Sequence, residues 1–163
     1  MCSIFGILGE YDINKASKAF ASMKHRGIDD THTVNDKNIF FAHHLLRIQN
    51  INNKDKQPYR YKNILLSFNG EIYNHKELTN TLKNDFPFQT FSESEVLVAS
   101  YLKWGENFVH HLRGMFAIAL LDSDTLYLFR DRLGKKPLYY HEGESFYFAS
   151  EIKAIVPFLD KVT

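Results

Sequence analysis

The spacing of apolar residues changes four times along this chain, and those changes constrain the fold more than any other feature. Residues 2–9 (CSIFGILG) form a short, almost wholly apolar run ending in glycine, which predicts a buried strand. Residues 14–24 (NKASKAFASMK) then set Ala16, Ala19, Phe20 and Met23 three and four apart, the pattern of an amphipathic helix with Asn14 as its cap. Residues 25–37 are polar and predict a loop. The runs 39–43 and 45–48 are strand-like, and 50–61 reads as a long polar connection. Residues 63–68 (NILLSF) predict another strand, running into a turn at Asn69-Gly70.

Helical spacing takes over at about 75–84 and is clearest at 93–104 (ESEVLVASYLKW). There Val96, Leu97, Ser100, Tyr101 and Trp104 share a face, Ser92 caps the start and Gly105 ends it. A short helix is expected at 106–112. Period two resumes at 115–121, 125–130, 138–141 and 145–149, separated by turn residues, which predicts an antiparallel meander before a last helix near Ser150. Strands, a helical block and strands again argue an α+β domain with mainly antiparallel sheets.

Composition removes several classes of function. With 163 residues the chain suits one domain, and 44% hydrophobic with 24% charged residues is ordinary globular usage. A formal net charge of +1 offers no electrostatic footprint for nucleic acid or an acidic membrane surface. The apolar runs are far shorter than a membrane span, and the first residues lack a signal pattern. A cytoplasmic setting is therefore expected. Eight histidines invite a metal, but none lies at ligand spacing from another histidine or from a cysteine, so neither metal nor cofactor is expected.

Cys2, the only cysteine, follows the initiator methionine. Removal of Met1 would give one residue both a thiol and a free α-amine. The thiol reacts as thiolate, with a reference pKa of about 8.5, and a terminal amine titrates at about 7.7–8.0. Nucleophile and general base would then share a residue; a small apolar residue starting a strand is the alternative. Asn69-Gly70 offers an amide and a backbone N–H suited to holding an oxyanion, or simply a hairpin turn. Arg47 suits a carboxylate and Glu93 an ammonium, or each is a surface charge.

Taken in order, Met1-Cys2-Ser3-Ile4-Phe5-Gly6, His25-Arg26-Gly27, Asn69-Gly70-Glu71-Ile72-Tyr73-Asn74-His75 and Ser94-Glu95-Val96 resemble the glutaminase domain of the asparagine synthetases. Gly114-Met115-Phe116-Ala117, Arg130-Asp131-Arg132-Leu133-Gly134, Lys136-Pro137-Leu138-Tyr139-Tyr140 and Phe148-Ala149-Ser150-Glu151 extend the match over nearly the whole chain. These are class II glutamine amidotransferases of the N-terminal-nucleophile hydrolase superfamily. The resemblance implies a four-layer αββα sandwich, spanning residues 1–163 as a single domain. It implies that Cys2 attacks the side-chain amide of L-glutamine and forms a γ-glutamyl thioester, while Asn69 and Gly70 hold the oxyanion. Arg47, Ile48, Glu71 and Glu93 are expected to bind substrate, and Arg26 and Gly27 to support the pocket.

Three departures stand out. Leu45 occupies the family's carboxylate-clamping arginine position, so Arg47, two residues on, is expected to reach back. Glu93 replaces an aspartate, and Ile28 a proline. The family's ATP-dependent synthetase domain, with its Ser-Gly-Gly loop, has no counterpart here, so ammonia is expected to pass to a separate synthetase domain or subunit. The alternatives are a glutaminase fold kept for docking with turnover lost, and a related amidohydrolase acting on another small amide.

Overall fold

In the computed structural model, residues 1–47 and 56–159 are described. In chain order they form β1 (Ser3–Leu8), α1 (Ile13–Ala21), β2 (Asp30–Asp36), β3 (Ile39–Leu45), β4 (Tyr59–Tyr61), β5 (Ile64–Ile72), α2 (His75–Leu82) and α3 (Glu93–Trp104). Then follow β6 (Gly114–Asp122), β7 (Thr125–Arg130), β8 (Tyr139–Glu142) and β9 (Phe146–Ala149). The chain divides into two compact units, one from residues 1–47 and 137–163 and one from residues 48–136. Each has its own antiparallel sheet and apolar core, so the α+β class with antiparallel sheets holds.

The first unit carries the sheet β2-β3-β1-β9-β8. On β1, Phe5 and Ile7 point to one face and pack with Ala16, Ala19 and Phe20 of α1 and with Phe40, Ala42 and Ile155. Gly6 lies on the other face, where a Cβ would sit 2.2 Å from the Phe148 ring. Helix α1 begins at Asp12, not Asn14: the Asp12 carboxylate accepts from Lys15 N–H at 2.7 Å. The expected loop at 25–37 contains β2, a polar edge strand whose side chains are half-buried or exposed, so no apolar alternation announces it. The run at 39–43 extends to Leu45 as one strand, β3, paired with β1 from Ser3↔His44 to Leu8↔Ile39; of the expected strand at 45–48, Leu46 and Arg47 lie beyond β3 and residue 48 is outside the described residues. The last helix is replaced by two 3₁₀ turns, Ile152–Ala154 and Val156–Phe158, the second holding Pro157.

The second unit carries the sheet β4-β5-β6-β7. Ile64, Leu66, Phe68 and Ile72 of β5 join Phe116, Ile118 and Leu120 of β6 in a core with α2 and α3. Helix α3 has the expected Ser92 cap, whose hydroxyl accepts from Glu95 N–H, and Gly105 ends it at φ +59°. It is buried from Ser94 to Ser100, on more than the one face its spacing predicts. The predicted turn at Asn69-Gly70 is absent. Strand β5 runs straight through it, paired with β6 in one register from Ile64↔Asp122 to Ile72↔Gly114. Gly70 is needed there for close approach, since a Cβ would lie 2.3 Å from Met115 O.

The predicted four-strand meander is also broken. β6 and β7 belong to one sheet, β8 and β9 to the other. The chain leaves the second unit's sheet after β7 through residues 131–136, which fold around the buried Asp131 carboxylate. It accepts from the N–H groups of Phe116, Leu133, Lys135 and Lys136 at 3.0–3.2 Å. Burial alone would raise this carboxyl, but the four N–H groups outweigh it and hold it below the usual carboxylate range. Arg130 closes the same loop through Lys136 O and Gly134 O.

Replacing Asp131 by Ala should cost about 3 kcal/mol in urea unfolding, because four donors lose their acceptor. The sign of the pH effect follows from the lowered folded pKa. Its stabilisation is complete above the ordinary carboxylate pKa and is lost as the pH falls through the folded value. An Asp131→Asn variant, unfolded across the same acidic series, should lack that part of the slope.

Candidate active site

The edge of β5 is where the second unit becomes chemically unusual. Ser123 N–H donates to Asn63 O and Tyr73 N–H to Arg113 O, so 63/123 and 73/113 are hydrogen-bonded pairs of the β5–β6 ladder. Hydrogen-bonded and non-hydrogen-bonded pairs alternate between them, which makes Gly70/Phe116 non-hydrogen-bonded. The Gly70 N–H therefore points away from β6, as do those of Phe68 and Ile72. Strand β4 covers this edge only as far as Leu66, opposite Tyr59. Beyond it, side chains take over: Gln57 Oε1 accepts from Phe68 N–H at 2.7 Å, and Glu93 Oε1 accepts from Ile72 N–H at 2.6 Å. Between these two occupied donors, the Gly70 N–H has no partner among the described residues.

Asn69 projects to the sheet face opposite the helix-covered core, with Ser67 and Glu71. It is 2% exposed, and its Nδ2 has no hydrogen-bond partner among the described residues. A buried amide donor left unsatisfied is costly. Glu71 is half-buried next to it in sequence. Asn69 Nδ2 and Gly70 N–H thus come from consecutive residues, and neither has a partner among the described residues.

In the first unit, Cys2 continues β1 by one residue. Its Sγ receives the Leu46 N–H at 3.4 Å and lies 3.7 Å from Leu46 O. The Cys2 carbonyl accepts from Arg26 Nε at 3.2 Å, and Glu151 Oε1 holds Arg26 Nη1 at 3.1 Å. Ser150 secures the same strand: its hydroxyl accepts from Ile4 N–H, and its own N–H donates to Ile4 O. Arg26, expected to support the pocket, thus bonds to the Cys2 backbone and to Glu151. Gly27 allows it, since a Cβ there would sit 2.5 Å from His44 O.

Arg47 belongs to the same unit, but β3 ends at Leu45, so strand alternation does not carry to Arg47. Its guanidinium meets Asp30 Oδ2 at 3.2 Å and its backbone N–H donates to Asp29. Ile48 lies outside the described residues. Glu93 is tied to β5 as above, its extra methylene letting it reach Ile72 N–H. Sequence reasoning passed over Gln57, Glu151 and the Leu46 N–H. No pattern marks Gln57 or Leu46, whereas Glu151 lies in the matched Phe148–Ala149–Ser150–Glu151 segment.

The histidines serve structure. His44 stacks on Phe20 at 3.8 Å and bridges Thr31 and Phe20 O, and burial holds its pKa below the usual value. Among the described residues no group of three His, Cys, Asp or Glu side chains could hold a metal ion, and no helix is long and apolar enough to cross a membrane.

The first unit thus presents a cysteine thiol next to an N–H donor, and the second presents two donors without a partner among the described residues. The chain belongs to the glutamine amidotransferase domain family, whose model matches residues 1–162, and within it to the class II glutamine amidotransferases. It is 41% identical over 170 residues to the glutamine-hydrolyzing asparagine synthetase B of Escherichia coli, covering 96% of this chain and 30% of that protein. It is 39% identical over 143 residues to asparagine synthetase 3 of Bacillus subtilis, covering 83% of this chain and 23% of that one. The chain thus spans about a third or less of the curated relatives it matches.

Two solved structures share the fold, each with a TM-score of 0.77. One is glutamine phosphoribosylpyrophosphate amidotransferase from B. subtilis, 22% identical and covering 95% of this chain and 43% of that one. The other is described as the allosteric regulatory enzyme of purine biosynthesis, 23% identical, with 96% and 43% covered.

Gly70→Ala tests the β5–β6 geometry. The new Cβ would press on Met115 O and the Phe116 Cα, and an overpacked strand of this kind costs about 2 kcal/mol. Urea unfolding should show that loss, and an unchanged midpoint would contradict the close approach.

Proposed function

We propose that residues 1–163 act as one glutaminase domain, which hydrolyses L-glutamine to glutamate and ammonia through a Cys2 thioester. The observation that carries this reading is the pair of donors without a partner among the described residues, Asn69 Nδ2 and Gly70 N–H. Donors of this kind suit the oxyanion of a tetrahedral intermediate.

The chemistry runs in two halves. With Met1 removed, the α-amine takes the thiol proton and the Cys2 thiolate attacks the side-chain amide carbon. The C–S bond forms, and the negative charge moves to the former carbonyl oxygen, where Asn69 and Gly70 hold it. Collapse breaks the C–N bond, and the α-amine returns the proton to the departing ammonia, leaving a γ-glutamyl thioester. Water then attacks the thioester carbon, glutamate leaves and the thiol is restored. The Leu46 N–H stabilises the sulfur while it carries charge, and the Arg26 clamp keeps the terminus from swinging away.

Arg47, Ile48, Glu71 and Glu93 are the residues we assign to substrate recognition. Arg47 would exchange Asp30 for the glutamine α-carboxylate, and the carboxylates of Glu71 and Glu93 suit the α-ammonium. The ammonia would pass to an ATP-dependent acceptor domain or subunit like that of the asparagine synthetases, in the cytoplasm. The similarity to those enzymes supports this, as it does glutamine as substrate.

Glutamate release by the full chain, with Met1 removal verified by intact mass, tests the reading. Cys2→Ala should abolish release. Asn69→Ala should lower kcat about 100- to 1,000-fold, the usual loss of an oxyanion donor. Arg47→Ala should raise KM with a smaller change in kcat. No release from mature protein, alone or with a synthetase partner, would overturn the proposal in favour of a docking module. Strong preference for another amide would favour the wider amidohydrolase reading.

A further inference from the structure

We propose that Gln57 is a positioning residue for the Gly70 N–H, acting through Phe68. The inference rests on the glutaminase reading for its catalytic consequence, but its structural basis lies wholly in the edge of β5.

A glycine in an extended strand has no side chain to hold its peptide plane and more backbone freedom than any other residue. On the β6 side the Gly70/Phe116 pair makes no ladder bond. The direction of the Gly70 N–H is therefore set by what fixes the strand on either side of it. β4 stops at Leu66, and the next two N–H groups on that edge are Phe68 and Gly70. Phe68 is 3% exposed, so its N–H cannot turn to water. It is satisfied by one side-chain atom, Gln57 Oε1, at 2.7 Å. Gln57 is itself 6% exposed. Its amide serves as one further rung of β4, supplied by a side chain. Two residues along, Glu93 does the same for Ile72. Gly70 hangs between these two anchors, each about 6–7 Å away along the strand.

Without an acceptor at 57, the buried Phe68 N–H would draw the strand towards another one, by twisting or bulging, and Gly70 would turn with it.

The experiment compares the full chain carrying Gln57→Met, which fills the same volume without an acceptor, and Gln57→Glu, which keeps the acceptor. Wild-type release of glutamate, dependent on Cys2, is measured first. In Gln57→Met, kcat should fall about 10- to 100-fold with KM changed less than about threefold, the signature of a donor misplaced in the transition state. The Phe68 and Gly70 amide resonances should shift, and Gln57→Glu should return both close to their wild-type positions. A folded Gln57→Met protein with wild-type kcat and an unmoved Gly70 resonance overturns the inference. Should Gln57→Met fail to fold, a displaced Gly70 resonance in Gln57→Glu overturns it, and an undisplaced one supports it. Should the wild type release no glutamate, the glutaminase reading falls, while the Gly70 resonance still decides whether Gln57 positions that amide.

Discussion

The pairing of β5 with β6 governs what the second unit can offer. Its register puts Gly70 opposite Phe116 in a non-hydrogen-bonded pair, which turns the Gly70 N–H outward and lets the two backbones come too close for any side chain at position 70. Phe116 is fixed in turn from the other edge, where Asp131 accepts from its N–H and donates to its carbonyl. A slip of one residue would reverse every direction: Asn69 would face the core, and the glycine N–H would vanish into the ladder. The large apolar residues on one face, Ile64, Leu66, Phe68 and Ile72, make such a slip expensive.

The first unit follows the same logic by other means. Phe5 and Ile7 turn one face of β1 towards α1, so alternation sends Ile4 and Cys2 to the opposite face. β9 pairs with β1 only as far as Phe5↔Ala149, and the backbone beyond it is held by Ser150 at Ile4 and by Arg26 at Cys2. In both units the residue proposed for chemistry, Cys2 or Gly70, lies just past the point where a neighbouring strand stops and side chains substitute for it. A regular ladder would have consumed these backbone groups.

Much of the fold was legible because its strongest elements announce themselves locally. Helix α3 has a serine cap, a glycine stop and an apolar interior, and its bounds were readable to the residue. Strands β1, β6 and β7 are apolar enough to stand out. The failures share a cause: tertiary pairing overrode a local preference. Asn-Gly ordinarily turns, but here a partner strand on one side and Glu93 on the other keep it extended. β2 is polar because it lies at an edge, and β4 is three residues long. Nothing within residues 114–149 says that the strands divide between two sheets, since the divider is a hydrogen-bond hub made by one aspartate. Cys2, Asn69 and Gly70, the residues proposed for catalysis, were singled out by their chemistry and by ordered motifs. Gln57 was not, because its bond to Phe68 matters only where β4, which begins two residues later, leaves the edge of β5 uncovered.

The clamp on Cys2 has a consequence in time. Arg26 is steadied by Glu151, and Ile4 by Ser150, partners 125 and 146 residues away along the chain. The unit that holds the nucleophile is assembled from the two ends of the sequence, with residues 48–136 synthesised between them. At roughly 5–20 residues per second, the first strand waits on the order of ten seconds on the ribosome before β9 and Glu151 exist to receive it. For that interval β1 has its pairing with β3 and the Arg26 bond at Cys2 O, but neither Ser150 nor Glu151. The setting of Cys2 is completed only when residues 146–151 are made, so a product stalled before them carries Cys2 with Arg26 unsteadied and one edge of β1 open.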